Sequence, residues 1–220
     1  MIDGVLDPGL RMRTLVPIGW QSNEQPLPPM PDVPVQVSIA YRPNGLYFFL
    51  DISDPNRFPA LMQEVAYCGD SVELYIDHDG VLDVAPDYDP IGALQFIGRA
   101  PVDETTPRSD GEVYLPTTLL HAWQTGFVAT PRPGGYTLEA FIDATAMGLG
   151  SWSLASGSHV GIDLALGLST ADGSLVPLVE CPQSTRLGQF FLQVDESMLQ
   201  VYGRGAPYKT STALCFPALQ

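Results

Sequence analysis

Residues Gly69 to Asp77 read Gly-Asp-Ser-Val-Glu-Leu-Tyr-Ile-Asp (GDSVELYID), and this stretch decides the fold. From Ser71 onward it alternates strictly. Val72, Leu74 and Ile76 fall on one face, Ser71, Glu73, Tyr75 and Asp77 on the other. A period of two is the signature of a strand with one apolar and one polar face. Similar runs recur on both sides. Upstream lie Val35 to Ala40 and Leu46 to Ile52, separated by Asn44-Gly45, a strong hairpin signal. Downstream come Ala93 to Ile97, Phe127 to Thr130, Tyr136 to Ile142, His159 to Ser169, Leu175 to Val179, Gln189 to Val194 and Met198 to Val201. About ten strands with turn signals between them predict an all-β protein, an antiparallel β-sandwich or a barrel, with long loops.

One short helix is expected around Ala144 to Leu149, where Gly148 and Gly150 stop it. Residues 17 to 34 hold six prolines (Pro17, Pro26, Pro28, Pro29, Pro31 and Pro34), which predicts an extended surface connector and excludes a central strand. No internal repeat or boundary divides the chain. The expected organisation is a single domain over residues 1–220, with its core in about 2–195 and a final strand or tail in 196–220.

With 45% hydrophobic residues the chain can bury a sizeable core. Its net charge is −15, and Lys209 is the sole lysine. Such a chain repels phosphate backbones and anionic lipid surfaces, so nucleic acid and membrane are poor partners. A neutral ligand or a cation matches better, although excess acid also simply keeps a protein soluble. No run of about 18 apolar residues exists to cross a membrane.

Catalytic motifs are absent. The nearest text to a nucleophile elbow, Gly157-Ser158-His159-Val160-Gly161, places the serine one position early. His78, His121 and His159 are too dispersed for a zinc site, and no phosphate-binding glycine loop is present. The expectation is a binding protein, not an enzyme.

Four stretches in order resemble the family 9 carbohydrate-binding modules. They are Ile2 to Asp7 (IDGVLD); Asn44 to Asp54 (NGLYFFLDISD); Gly69 to Asp77 with Gln95-Phe96 in the next strand; and Gly135 to Ile142 (GYTLEAFI) with Met147-Gly148-Leu149 and Gly161-Ile162-Asp163. A closing Leu187-Gly188 also fits. The resemblance implies a jelly-roll β-sandwich that binds poly- or oligosaccharide without cleaving it, often carries structural calcium, and forms one part of a larger secreted or surface protein. The implied location is extracellular, cell-surface or periplasmic. The same superfold hosts modules without sugar binding, so a structural or protein-interaction domain is the alternative.

Sugar binding needs an aromatic ring against the apolar pyranose face and side chains that pair with adjacent hydroxyls. The family places an aromatic a few residues before the acidic strand, and here Tyr67 stands six positions before Glu73. Glu73, Gln95 and Arg99 match the hydrogen-bonding set that the resemblance implies. The plain structural alternative pairs Glu73 with Arg99 and makes Tyr67 a loop-packing ring. The family's second aromatic is missing, because Gly167 to Gly173 (GLSTADG) contains none. Trp152 or Trp123 would have to supply it, and Trp152 is taken as the ligand-site candidate. At about 1 kcal/mol or more per aromatic contact, its loss weakens binding by up to about tenfold.

The loop after the Glu73 strand carries Asp77, Asp79, Asp83, Asp87 and Asp89. Hard oxygen donors at this spacing suit Ca²⁺, as the resemblance implies, although Val81 breaks the EF-hand pattern and a solvated acidic turn is the alternative. Haem, used by some relatives of the fold, has no marked ligand pair here. The cysteines are Cys68, Cys181 and Cys215. A Cys68–Cys181 disulfide would pin the Tyr67 loop in an oxidising compartment; buried free thiols are the alternative.

Overall fold

The computed structural model describes residues 2–21, 32–60, 65–77, 93–115, 118–123, 126–143, 161–170 and 185–193. Among these, the strands are β1 (Arg13–Gln21), β2 (Val35–Arg42), β3 (Gly45–Ile52), β4 (Ser71–Asp77), β5 (Ala93–Arg99), β6 (Gly111–Leu115), β7 (Thr118–Trp123), β8 (Phe127–Arg132), β9 (Gly135–Asp143), β10 (Gly161–Thr170) and β11 (Thr185–Gln193). A single 3-10 turn, Ala66–Cys68, precedes β4. The expected helix near residue 147 and the expected strands at 175–179 and 198–201 lie outside the described residues.

Every strand pairing is antiparallel, and β1 belongs to two sheets. The first sheet runs β1-β2-β3-β9-β8 and the second β7-β6-β5-β4-β10-β11-β1. Arg13 to Leu15 pair with β2, whereas Val16 to Gln21 pair with β11. The proline-rich segment therefore begins inside a central strand, contrary to the surface connector that its composition predicts. The ladder explains how Pro17 is tolerated. Register shifts between Pro17 and Gly19, just after the chain has passed from one sheet to the other at Leu15 and Val16. A residue without an N–H fits at a break in the ladder and not within an unbroken one. β6 and β7 also escaped the sequence pattern, because β6 is short and Pro116 interrupts the run between them.

The apolar faces of the two sheets meet in one core. Val72, Leu74 and Ile76 of β4 join Leu94 and Phe96 of β5 and Leu164 and Leu166 of β10. Facing them are Val37, Phe48, Leu50, Leu138 and Ile142 of the first sheet. The alternation read in GDSVELYID thus has its expected apolar face inward.

The outer face of the first sheet is also closed, and a carboxylate closes it. Glu139 of β9 is fully buried. Its Oε2 accepts the backbone N–H groups of Asp3 (2.6 Å) and Gly4 (2.8 Å), and its Oε1 accepts the Tyr47 hydroxyl (2.8 Å). Tyr47 Oη in turn accepts the Asp7 N–H at 3.3 Å, and Thr137 Oγ1 donates to the Gly4 carbonyl at 3.1 Å. Burial and the bond to Glu139 push the Tyr47 hydroxyl well above its usual pKa, although the Asp7 N–H opposes this. Gly4 has φ +84°, and a Cβ there would meet Thr130 Oγ1 at 2.1 Å. The IDG stretch and the glutamate of GYTLEAFI are therefore two halves of one contact.

Glu139→Ala leaves three donors without their acceptor and is expected to cost about 3 kcal/mol or more at roughly 1–3 kcal/mol per buried orphan. Gly4→Ala is expected to cost at least about 1 kcal/mol through its left-handed backbone and the Thr130 clash. Urea-unfolding midpoints of both variants against wild type measure these losses.

Candidate functional site

The polar face of β4 points away from the core, onto the outer side of the second sheet. Register fixes its neighbours. Tyr75 lies opposite Gln95 of β5 and Asp163 of β10, Glu73 opposite Ile97 and Ala165, and Ser71 opposite Arg99 and Gly167. On the next strand, Tyr114 faces Gln95 and Glu112 faces Ile97.

These side chains form two hydrogen-bonded groups. In the first, Glu73 Oε2 accepts the Tyr75 hydroxyl at 2.6 Å and Gln95 Nε2 at 2.7 Å, and Gln95 Nε2 also reaches Tyr75 Oη at 3.1 Å. In the second, Arg99 Nη2 donates to Glu112 Oε1 at 3.0 Å and Tyr114 donates to Glu112 Oε2 at 2.7 Å. Asp110 Oδ2 approaches Arg99 Nε at 3.4 Å. Burial pulls the Arg99 guanidinium below its ordinary pKa, as does the charge of Arg108; the Glu112 and Asp110 carboxylates counter them. Three of the sequence-predicted residues, Glu73, Gln95 and Arg99, thus share one face. Their relative exposures are only 1%, 6% and 5%, so the face is covered and not open to solvent.

Tyr67 sits on the 3-10 turn, half-buried, packed on Ala60 and Cys68. The turn lies against β5 and β11. Cys68 is disulfide-bonded, which replaces the free-thiol alternative; Cys181 and Cys215 both lie outside the described residues. Trp152, Asp79, Asp83, Asp87 and Asp89 lie outside them as well, and Asp77 is placed only by its backbone, as the last residue of β4. The expected calcium loop therefore has no described geometry.

Two anchors went unread in the sequence. Arg108, in the link from β5 to β6, is buried and forks onto Asp110 through Nε (2.5 Å) and Nη2 (2.9 Å). Its Nη1 reaches the carbonyls of Ala60 (2.8 Å) and Ala100 (3.3 Å). Its backbone exchanges both hydrogen bonds with Ala129 of β8, tying this link to the edge of the first sheet. The second anchor is Asp70, inside GDSVELYID. Its carboxylate accepts the N–H groups of Phe58 and Ser169 (2.7 Å to the latter). Its backbone bonds Phe58 and Ala100. Burial and the neighbouring Asp54 push the Asp70 carboxyl well above the usual carboxylate range, against those two donors. Gly69 beside it allows the close approach: a Cβ there would lie 1.8 Å from the Ala60 nitrogen. No sequence period marks an arginine or aspartate whose partners lie in loops.

Comparison with known proteins bears on the fold. No protein-family model and no curated protein sequence matches the chain. A solved carbohydrate-binding module of family 9 from Caldicellulosiruptor kristjanssonii, in complex with cellotriose, superposes with a TM-score of 0.59 at 17% identity. The match covers 100% of this chain and 89% of that one. The fold is CBM9-like. A second family 9 module structure from the same organism, in complex with glucose, gives a TM-score of 0.56 at 16% identity, covering 100% of this chain and 91% of that one. The CBM9-like sandwich agrees with the architecture that the ordered motifs imply.

Glu112→Ala removes the carboxylate to which Arg99 and Tyr114 both donate. Breaking a buried pair in this way is expected to cost about 3–5 kcal/mol, with Glu112→Gln losing less because it keeps an acceptor oxygen. Chemical denaturation of the two variants should rank them in that order.

Proposed function

We infer that the protein is a non-catalytic carbohydrate-binding module whose sugar-contacting side chains lie on the outer face of the second sheet, around Glu73, Gln95, Arg99 and the nearby Tyr67. One observation carries the reading: a hydrogen-bonded set of carboxylate, amide, phenol and guanidinium side chains gathered on one sheet face. Paired donors and acceptors of this kind match the vicinal hydroxyls of a neutral poly- or oligosaccharide. The bound cellotriose and glucose of the two structural neighbours agree in ligand class. The chain's strong negative charge favours a neutral sugar over nucleic acid or an anionic membrane. Among the described residues no helix is long and apolar enough to cross a membrane. The disulfide at Cys68 suits an extracellular, periplasmic or cell-surface setting, as part of a larger protein.

A second reading, a structural or protein-interaction domain of the same fold, is favoured by a different fact. The Glu73 carboxylate already has two internal donors and is 1% exposed. A ligand would have to displace what covers this face.

Affinity electrophoresis and a glycan array on the wild type, Tyr67→Ala and Glu73→Gln separate the two readings. Sugar binding at this face predicts retention by at least one neutral glycan and at least a tenfold loss in one of the variants. That factor corresponds to about 1.4 kcal/mol. Retention that neither substitution alters, or no retention at all, rejects the site.

A further inference from the structure

A cleft of about 370 Å³ opens on the outer face of the first sheet, where the N-terminal segment crosses β2 and β3. Asp7, Pro8, Leu10, Ala40, Arg42 and Tyr47 are among its lining residues. A volume of that order is enough for a small organic molecule. The rim is fixed by backbone bonds. The Leu10 N–H donates to the Asp7 carbonyl at 3.3 Å, closing a turn over Pro8 and Gly9, a pair that suits a tight turn. The Asp7 N–H donates to Tyr47 Oη, so the backbone of Asp7 is held on both sides. Arg42 is placed by a ring. Its guanidinium lies over Phe141, 5.5 Å from the ring centroid. Gly45, the partner of Arg42 across the hairpin, leaves space for that ring: a Cβ there would lie 2.9 Å from Phe141 Cζ.

The two charges of the cleft are unpaired. Arg57, Arg99, Arg108 and Arg132 each pair with a carboxylate. Among the described residues Arg42 has only its ring contact, and no hydrogen bond or ion pair joins it to Asp7. The Asp7 carboxylate accepts no hydrogen bond among the described residues either, although its charge acts on the Tyr47 hydroxyl beside it. That hydroxyl is already engaged, donating to Glu139 and accepting from the Asp7 N–H.

Opposite charges that line one cleft without meeting suit a molecule that carries both. The planar fork of Arg42 matches a carboxylate, and the Asp7 carboxylate matches an ammonium. Pro8, Leu10 and Ala40 supply an aliphatic wall. A pyranose finds no open aromatic face here, because Tyr47 is 4% exposed and Tyr41 packs against the core. We propose that this cleft binds a free α-amino acid with an apolar side chain, its carboxylate on Arg42, its ammonium on Asp7 and its side chain against Pro8, Leu10 and Ala40. The site lies on the other sheet from the face assigned to sugar and does not depend on that assignment.

The test is calorimetric titration of the full chain with L-leucine, L-leucinamide and N-acetyl-L-leucine, for wild type, Asp7→Asn and Arg42→Gln. Arg42 is exposed and Asp7 half-buried, so solvent weakens each pair and the probes are taken into the millimolar range. L-leucine is expected to bind wild type and to lose at least tenfold in affinity in each variant. Leucinamide, which lacks the carboxylate, should bind wild type weakly and lose nothing further in Arg42→Gln; N-acetyl-leucine, which lacks the ammonium, should behave in the same way toward Asp7→Asn. Excess glucose should leave the L-leucine titration unchanged. No heat with L-leucine in wild type overturns the proposal, as does an affinity that survives both substitutions, or competition by glucose. Melting curves confirm that the variants fold. Should Asp7→Asn fail to fold, Arg42→Gln with the two analogues carries the test, and a wild-type L-leucine affinity in that variant overturns the site.

Discussion

Glu139 is fully buried and carries a carboxylate, so its oxygens must find donors inside the fold. An uncompensated buried charge costs several kcal/mol, far more than a neutral contact returns. The donors it finds are the N–H groups of Asp3 and Gly4 and the hydroxyl of Tyr47. Those bonds lay the N-terminal segment over the outer face of the first sheet at Tyr47 and Glu139. The same requirement recurs elsewhere. Glu73 draws in Tyr75 and Gln95, and Glu112 draws in Arg99 and Tyr114. Asp70 gathers the loop at Phe58 and the end of β10 at Ser169. Both sheets are thus closed on both sides: by apolar packing within, and by satisfied carboxylates without.

This arrangement bears directly on function. A binding face made of pre-bonded polar groups is rigid, which lowers the ordering cost of recognition. It is also self-sufficient, so any ligand of this face would have to offer hydrogen bonds at least as good as those it replaces. The tension between these two consequences is why a CBM9-like fold and a matching residue set do not by themselves make a sugar-binding protein. Site chemistry has to be argued apart from architecture.

Much of the fold was legible in the chain. The strict alternation of β4 placed Val72, Leu74 and Ile76 in the core and Glu73 and Tyr75 on the opposite face, as observed. The hairpin between β2 and β3 formed where Asn44-Gly45 signalled it, although its two turn residues are Pro43 and Asn44 and Gly45 opens β3 opposite Arg42. β1 was missed because a proline-rich composition speaks about unbroken ladders, whereas Pro17 sits at a break. β6 and β7 were missed because strands this short carry too few periods to stand out. Of the candidate site, Glu73, Gln95 and Arg99 were legible as neighbours on adjacent strands. The partners that hold Arg99, Glu112 and Asp110, were not.

The sequence by itself determined which residues alternate, where the hairpin turns, and which side chains face the core, because these depend on spacing along one strand. Tertiary structure alone decided that Asp3 and Gly4 meet Glu139, that Arg108 reaches Ala60, and that Asp54 and Asp70 lie together beside Ser169. Each of these joins groups dozens of residues or more apart, or groups in loops where no period exists. Only the folded chain brings such donors and acceptors within hydrogen-bonding distance.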